Sequence, residues 1–199
     1  MILMNRVRSF FANLQSTDSL LQQLRSSANL AALASLAVLK ERMAHQDGSL
    51  ENCDLSGANL ANATFATSKF QQANFSGANL QNTYFFEVDA VGARFNAANL
   101  SGANLRSARM QEADFQDANL SGANFARADL SGASLQNANL HHANFWQTTL
   151  KGADLRGADL TGANVTDVRC NETTILPDGT PWSDEVNWAA FTHHDESHK

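Results

Sequence analysis

The sequence has little proline, little cysteine and no long apolar run. Its two prolines leave Ser49 to Cys170 free of that residue, as expected where most backbone N–H groups bond to neighbouring chain. The apolar stretch Ala28–Leu39 contains Asn29 and Ser35 and falls short of the ~20 residues needed to span a bilayer. The first residues carry arginines but no long apolar segment ending in a small-residue cleavage site, so no signal peptide is expected. Phosphate-binding and redox or zinc signatures (GxGxxG, a P-loop, CxxC, HExxH) are absent too, so no cofactor, metal site or enzymatic activity is expected.

What is present is a period. From Leu50 to Val165 every fifth residue is Leu, Phe, Met or Val, with Ala90 the exception among 24 positions. Two residues earlier stands Ala in 18 of the 24 units, and between the two stands Asn or Asp in 16. The register never slips, which is the mark of a stacked repeat architecture.

Alternation supplies the geometry. In Ala58-Asn59-Leu60-Ala61-Asn62 the Ala and the Leu lie two residues apart, so extended backbone points both inward and the Asn outward. The two variable residues turn the chain. Nine of the eleven glycines fall on the second of them, where a positive φ is favoured. Straight segments joined by regular corners wind into a coil with small apolar side chains inside.

Stretches such as SGANL, RGADL and SGANF resemble the A(D/N)Lxx signature of the pentapeptide-repeat family. The resemblance implies an all-β solenoid, a right-handed quadrilateral β-helix with four units per coil. Twenty-four units would then make about six coils, a rod of roughly 29 Å at ~4.8 Å per coil.

A coil of that size sorts residues into columns. Leu60, Leu80, Leu100, Leu120, Leu140 and Leu160 form one interior column, and Phe65, Phe85, Leu105, Phe125, Phe145 and Val165 another. Ala90 follows Val88, a swap of large and small that roughly keeps volume. Outside, Asn59, Asn79, Asn99, Asn119 and Asn139 are expected to form an amide ladder. Lys69, Asp89, Arg109 and Asp129 alternate in sign, each exposed pair worth ~0.2–1 kcal/mol. Cys53 and Cys170 would lie ~28 Å apart along the rod, beyond the reach of a disulfide. A reducing, bacterial cytoplasm is the expected location.

The sequence divides into residues 1–48, 49–170 and 171–199. The first region reads as helical, with Ile2, Leu3, Val7, Phe10, Phe11 and Leu14 along one face. A second helix is expected from about Asp18 to His45, opened by a capping box of Ser19 and Gln22. Beyond Cys170, Leu176-Pro177-Asp178-Gly179 reads as a turn. Ser183-Asp184-Glu185 should open a short helix carrying Val186, Trp188 and Phe191. The final residues, His193 to Lys199, read as a disordered tail. Solenoid ends expose apolar core and open edges, so both flanks are expected to cap the rod.

Function is sought on the outside. His141 and His142 read as a solvated surface pair, and His194 with His198 as a weak chelating pair in a polar tail. Some members of the family bind type II topoisomerases and mimic DNA. Duplex DNA would present roughly 17 negative charges over this length, whereas residues 50–170 carry 11 acidic and 8 basic side chains. Nucleic-acid binding is not expected either.

A non-enzymatic scaffold or regulatory module that binds another protein fits better. Tyr84, Phe86 and Trp146 point outward on one side, with Arg106 between Phe86 and Trp146 in one column and Arg127 beside it. Aromatic and Arg residues concentrate at interface centres. Two readings of this side stand: a partner-binding surface, or a bed for the chain's own N-terminal helices through Val7, Phe10, Phe11 and Leu14. Those helices also offer a homodimer contact. A third role for Met1–Gln15, a membrane-surface anchor, rests on only Arg6 and Arg8, so membrane association is not expected.

Overall fold

The structure, a computed structural model, describes residues 50–193. The expected N-terminal helices, with their apolar face of Val7, Phe10, Phe11 and Leu14, lie outside the described residues, as does the tail from His194.

Residues twenty apart pair throughout the repeat. Parallel bridges run Asp54↔Asn74↔Arg94 on one side, Asn59↔Asn79↔Asn99 on the next, then Thr64↔Tyr84↔Asn104 and Lys69↔Asp89↔Arg109. The repeat is therefore a four-sided β-helical solenoid of twenty residues per coil. Each side contributes one bridged residue per coil rather than a long strand, because five residues leave room for little besides the corner. We refer to the sides by their first bridged residue: Asp54, Asn59, Thr64 and Lys69.

Each corner follows one scheme. Ala58 N–H donates to Leu55 O at 3.1 Å and closes a four-residue turn, while Gly57 N–H reaches Ser76 O on the next coil at 2.9 Å. The third residue of this turn has positive φ at every unit from Asn52 to Asp167, glycine or not. Fifteen non-glycine residues accept the left-handed conformation, Thr67 and Ala97 among them. Hydrogen bonds to the adjoining coils over-determine the corner, which lets the fold carry that local cost.

The outward Asn or Asp has a role that periodicity did not reveal. Its Oδ1 accepts the N–H two residues ahead, as in Asn74 to Ser76 at 3.1 Å, Asp114 to Gln116 at 3.0 Å and Asp159 to Thr161 at 3.0 Å. The side chain thus supplies the corner with an acceptor for a donor pointing away from the ladder. Amide rungs are added between coils, Asn79 to Asn59 at 3.1 Å and Asn164 to Asn144 at 3.0 Å. The alternating charge column yields an ion pair at Arg109–Asp89, 2.7 Å. Asp129 is engaged instead by Gln111 and Ser131.

Inside, the repeat's Leu, Phe and Ala positions form one buried core. Phe75, Phe95 and Phe115 stack at 4.9 Å spacing, Phe65 stacks on Phe85 at 5.1 Å, and Phe125 on Phe145 at 5.3 Å. Val88 and Ala90 are both fully buried, the volume swap at the one irregular unit. Thr83, Thr148 and Thr174 replace Ala at inward positions and satisfy their hydroxyls by donating to the carbonyls of Leu80, Phe125 and Leu150.

Past Arg169 the spacing changes by one residue, with Asp154 bridging Ile175. The chain then folds back at Leu176–Gly179, so that Ile175 pairs antiparallel with Pro181. The helix expected from Ser183 is shorter and starts later. Ser183–Val186 is a turn, and α1 comprises Ala189–Thr192 with Asn187 Oδ1 accepting the Ala189 N–H. Packing decides this: Trp188 and Phe191 lie against the end of the core and Gly162 N–H bonds Thr192 O at 2.7 Å, so only the last turn finds an apolar bed.

Candidate partner-binding surface

Against an exterior of small polar groups, one corner stands out. Phe86, Arg106, Ala126 and Trp146 occupy the same position in successive coils. The ladder confirms the stacking, with Phe86 O accepting from Thr67, Arg106 O from Glu87, Ala126 O from Ser107 and Trp146 O from Arg127. This corner joins the Thr64 side to the Lys69 side. Tyr84, on the Thr64 side, is 41% exposed, whereas Phe86 and Trp146 are half-buried and both arginines exposed.

Contacts among these five residues form two pairs, with Arg106 in the column between them. Tyr84 and Phe86 stack at 6.0 Å between ring centroids. Arg127 holds its guanidinium carbon 4.8 Å from the Trp146 ring centre, a cation–π arrangement, and its Nε donates to Gln147 at 3.4 Å. Arg106 touches neither ring pair and has no ion pair of its own among the described residues. Ala126, an outward position between Arg106 and Trp146 in the column, is only 5% exposed. At Arg106 and Trp146 the backbone is pinned as elsewhere, Asn104 accepting the Arg106 N–H and Asn144 the Trp146 N–H, both at 3.1 Å, whereas Tyr84 takes the place of that acceptor before Phe86. Side chains at this corner are therefore presented from a rigid base.

The histidine pair differs from expectation. His142 remains exposed, but His141 Nε2 lies 2.6 Å from Asp159 Oδ2 on the next coil. Burial raises the Asp159 pKa, yet hydrogen bonds from Thr161 and His141 outweigh it and hold the carboxyl below its ordinary value. Asp154 is likewise held low, chiefly by hydrogen bonding to Arg156 two residues ahead. Neither pair was legible from the period, since each depends on which way a corner side chain leans. Cys53 is buried in the first coil; burial pushes the half-buried Cys170 thiol up to about 11, which disfavours its thiolate. Among the described residues no cluster of His, Cys, Asp and Glu is arranged to hold a metal, and no helix is long and apolar enough to cross a membrane. The tail histidines His194 and His198 fall outside the described residues.

Comparison with known proteins agrees with the repeat. A family model described as a pentapeptide repeat region matches residues 58–135, and a second, pentapeptide repeats in eight copies, matches residues 128–167. Among solved structures the chain is similar to HetL, a pentapeptide repeat protein involved in heterocyst differentiation regulation in the cyanobacterium Nostoc. Identity is 27%, over 67% of this chain and 89% of that one, with a TM-score of 0.40. It is also similar to a trypsin-treated form of QnrB1, a plasmid-mediated fluoroquinolone resistance protein, at 26% identity over 61% and 79% of the two chains and a TM-score of 0.34. Rfr23 from the cyanobacterium Cyanothece matches at 25% identity over 74% and 99%, with a TM-score of 0.25. No curated protein sequence matches.

Proposed function

Since this chain belongs to the pentapeptide-repeat family, whose members are generally binders rather than enzymes, we propose that it is a protein-binding scaffold or regulatory module. Its recognition surface is the corner carrying Tyr84, Phe86, Arg106, Arg127 and Trp146. One observation supports this above others: Tyr84, Phe86 and Trp146 stand with two unpaired arginines on one corner, whereas the other sides of the solenoid present small polar and charged side chains without large aromatics. Such residues concentrate binding energy because they bury large areas at little entropic cost. Among the described residues the interior is one apolar core of Leu, Phe and Ala, so recognition is sought on the outside. DNA mimicry is the weaker reading, since the solenoid's 11 acidic side chains face 8 basic ones and no side is uniformly anionic.

The test is the double substitution Phe86→Ser, Trp146→Ser in the full chain. Partners captured from the native host by the wild-type chain are identified and their affinities remeasured with purified components. Loss of binding with a melting temperature within about 2 °C of wild type is expected, because outward residues contribute little to the core. A large stability loss with binding intact would mean that the corner is a bed for the chain's own N-terminal residues, and would refute the proposal.

A further inference from the structure

Charge on this rod is segregated. The Asn59 and Thr64 sides, with the corner between them, carry a single charge from Asn59 to Asn164, that of Asp159, which His141 meets at 2.6 Å. The remaining charges gather on the Lys69 and Asp54 sides and their corners, where Arg109 pairs with Asp89 and Arg156 with Asp154. Arg106 and Arg127 stand at the boundary, on the corner between the uncharged Thr64 side and the charged Lys69 side. Neither has a carboxylate within ion-pair distance among the described residues. Trp146 holds Arg127 in place without neutralising it, and Arg106 is exposed in the same column, between Phe86 and Trp146, with no ion pair among the described residues.

Spacing narrows the ligand further. Phe86 and Trp146 are three coils apart, ~14 Å at ~4.8 Å per coil, a distance spanned by about four residues of extended chain. Arg106 lies one coil from Phe86, and Arg127 lies beside Trp146 in the adjacent column. Exposed Glu87, whose N–H bonds Arg106 O, and exposed Asp167, one coil beyond Trp146, stand at the two ends of this corner, so anions are repelled at its ends and drawn to the guanidiniums between them. Guanidinium groups recognise carboxylates through paired N–H donors.

We propose that this corner binds an extended acidic segment of a partner protein, with an apolar or aromatic side chain against Tyr84 and Phe86 and carboxylates at Arg106 and Arg127. The proposal rests on the corner being the recognition surface and names the class of partner it takes. The probe is a fluorescein-labelled synthetic peptide of one phenylalanine followed by four glutamates, titrated with the full chain and read by anisotropy. Arg106→Gln, Arg127→Gln should weaken binding about five- to tenfold, as expected of two exposed charge pairs, with an unchanged melt. Replacing the peptide's glutamates by glutamine should weaken it similarly, and added salt should do so progressively. Unchanged affinity in the arginine variant, equal binding of the glutamine peptide, or tighter binding of a single-stranded oligothymidylate would overturn the proposal. A host partner lost on Phe86→Ser, Trp146→Ser but kept by the arginine variant would leave the surface standing and refute the acidic class. A partner lost by neither variant would refute both.

Discussion

Leu100 is the place to test the interior directly. It is fully buried in the all-Leu column of the Asn59 side, with Leu80 and Leu120, also fully buried, one coil to either side. Leu100→Ala removes three carbons, ~2.4 kcal/mol at ~0.8 kcal/mol per buried carbon. The site has little freedom to collapse, because the bridges Asn79↔Asn99 and Asn99↔Asn119 and the Leu100 N–H to Asn119 O bond at 2.7 Å hold the coils in register. An unrelaxed void of roughly 70 Å³ at ~24 cal/mol per Å³ adds ~1.7 kcal/mol. The expected loss is therefore about 2.4–4.1 kcal/mol, or roughly 5–16 °C in Tm for a chain of this length. Leu100→Asp should be worse, since the column holds no group able to pair a buried carboxylate. Urea and thermal melts of both variants check this. A Leu100→Ala loss below about 0.5 kcal/mol, or a Leu100→Asp protein as stable as wild type, would refute the inward assignment and with it the coil register.

Two other outcomes follow from the corners. Ala97 is exposed and held at φ 55°, so Ala97→Gly should relieve ~1–2 kcal/mol of left-handed cost against ~0.5–1 kcal/mol of added chain entropy, a net gain in a urea melt; a lowered midpoint would contradict it. Asp154 and Asp159 have folded-state pKa values below the ordinary 3.8, so in acid the unfolded chain binds protons more readily than the folded one. Their stabilisation is complete above about pH 4 and is lost as pH falls through the lowered values; melts from pH 6 to 2 should show this, with a shallower acid slope in Asp154→Asn, Asp159→Asn.

Much of this protein was legible in its sequence because its contacts are nearly one-dimensional. Each residue meets the one twenty places away, so a pattern of period five settles which side chains face inward, where the corners fall and which residues share a column. Leu100 and Phe86 were assigned to inside and outside on that basis alone. The repeat could not reveal how outward side chains lean across coils: His141 onto Asp159, Arg127 over Trp146, Arg109 rather than Lys69 onto Asp89. Each is set by which neighbouring side chain lies within reach on the adjoining coil. Nor could local capping signals locate α1. Ser183 is a sound helix opener, yet the helix forms at Ala189–Thr192, where Trp188 and Phe191 reach the exposed end of the core. Propensity proposes a short helix, but burial decides where one survives, because four residues in water cannot repay the cost of nucleation.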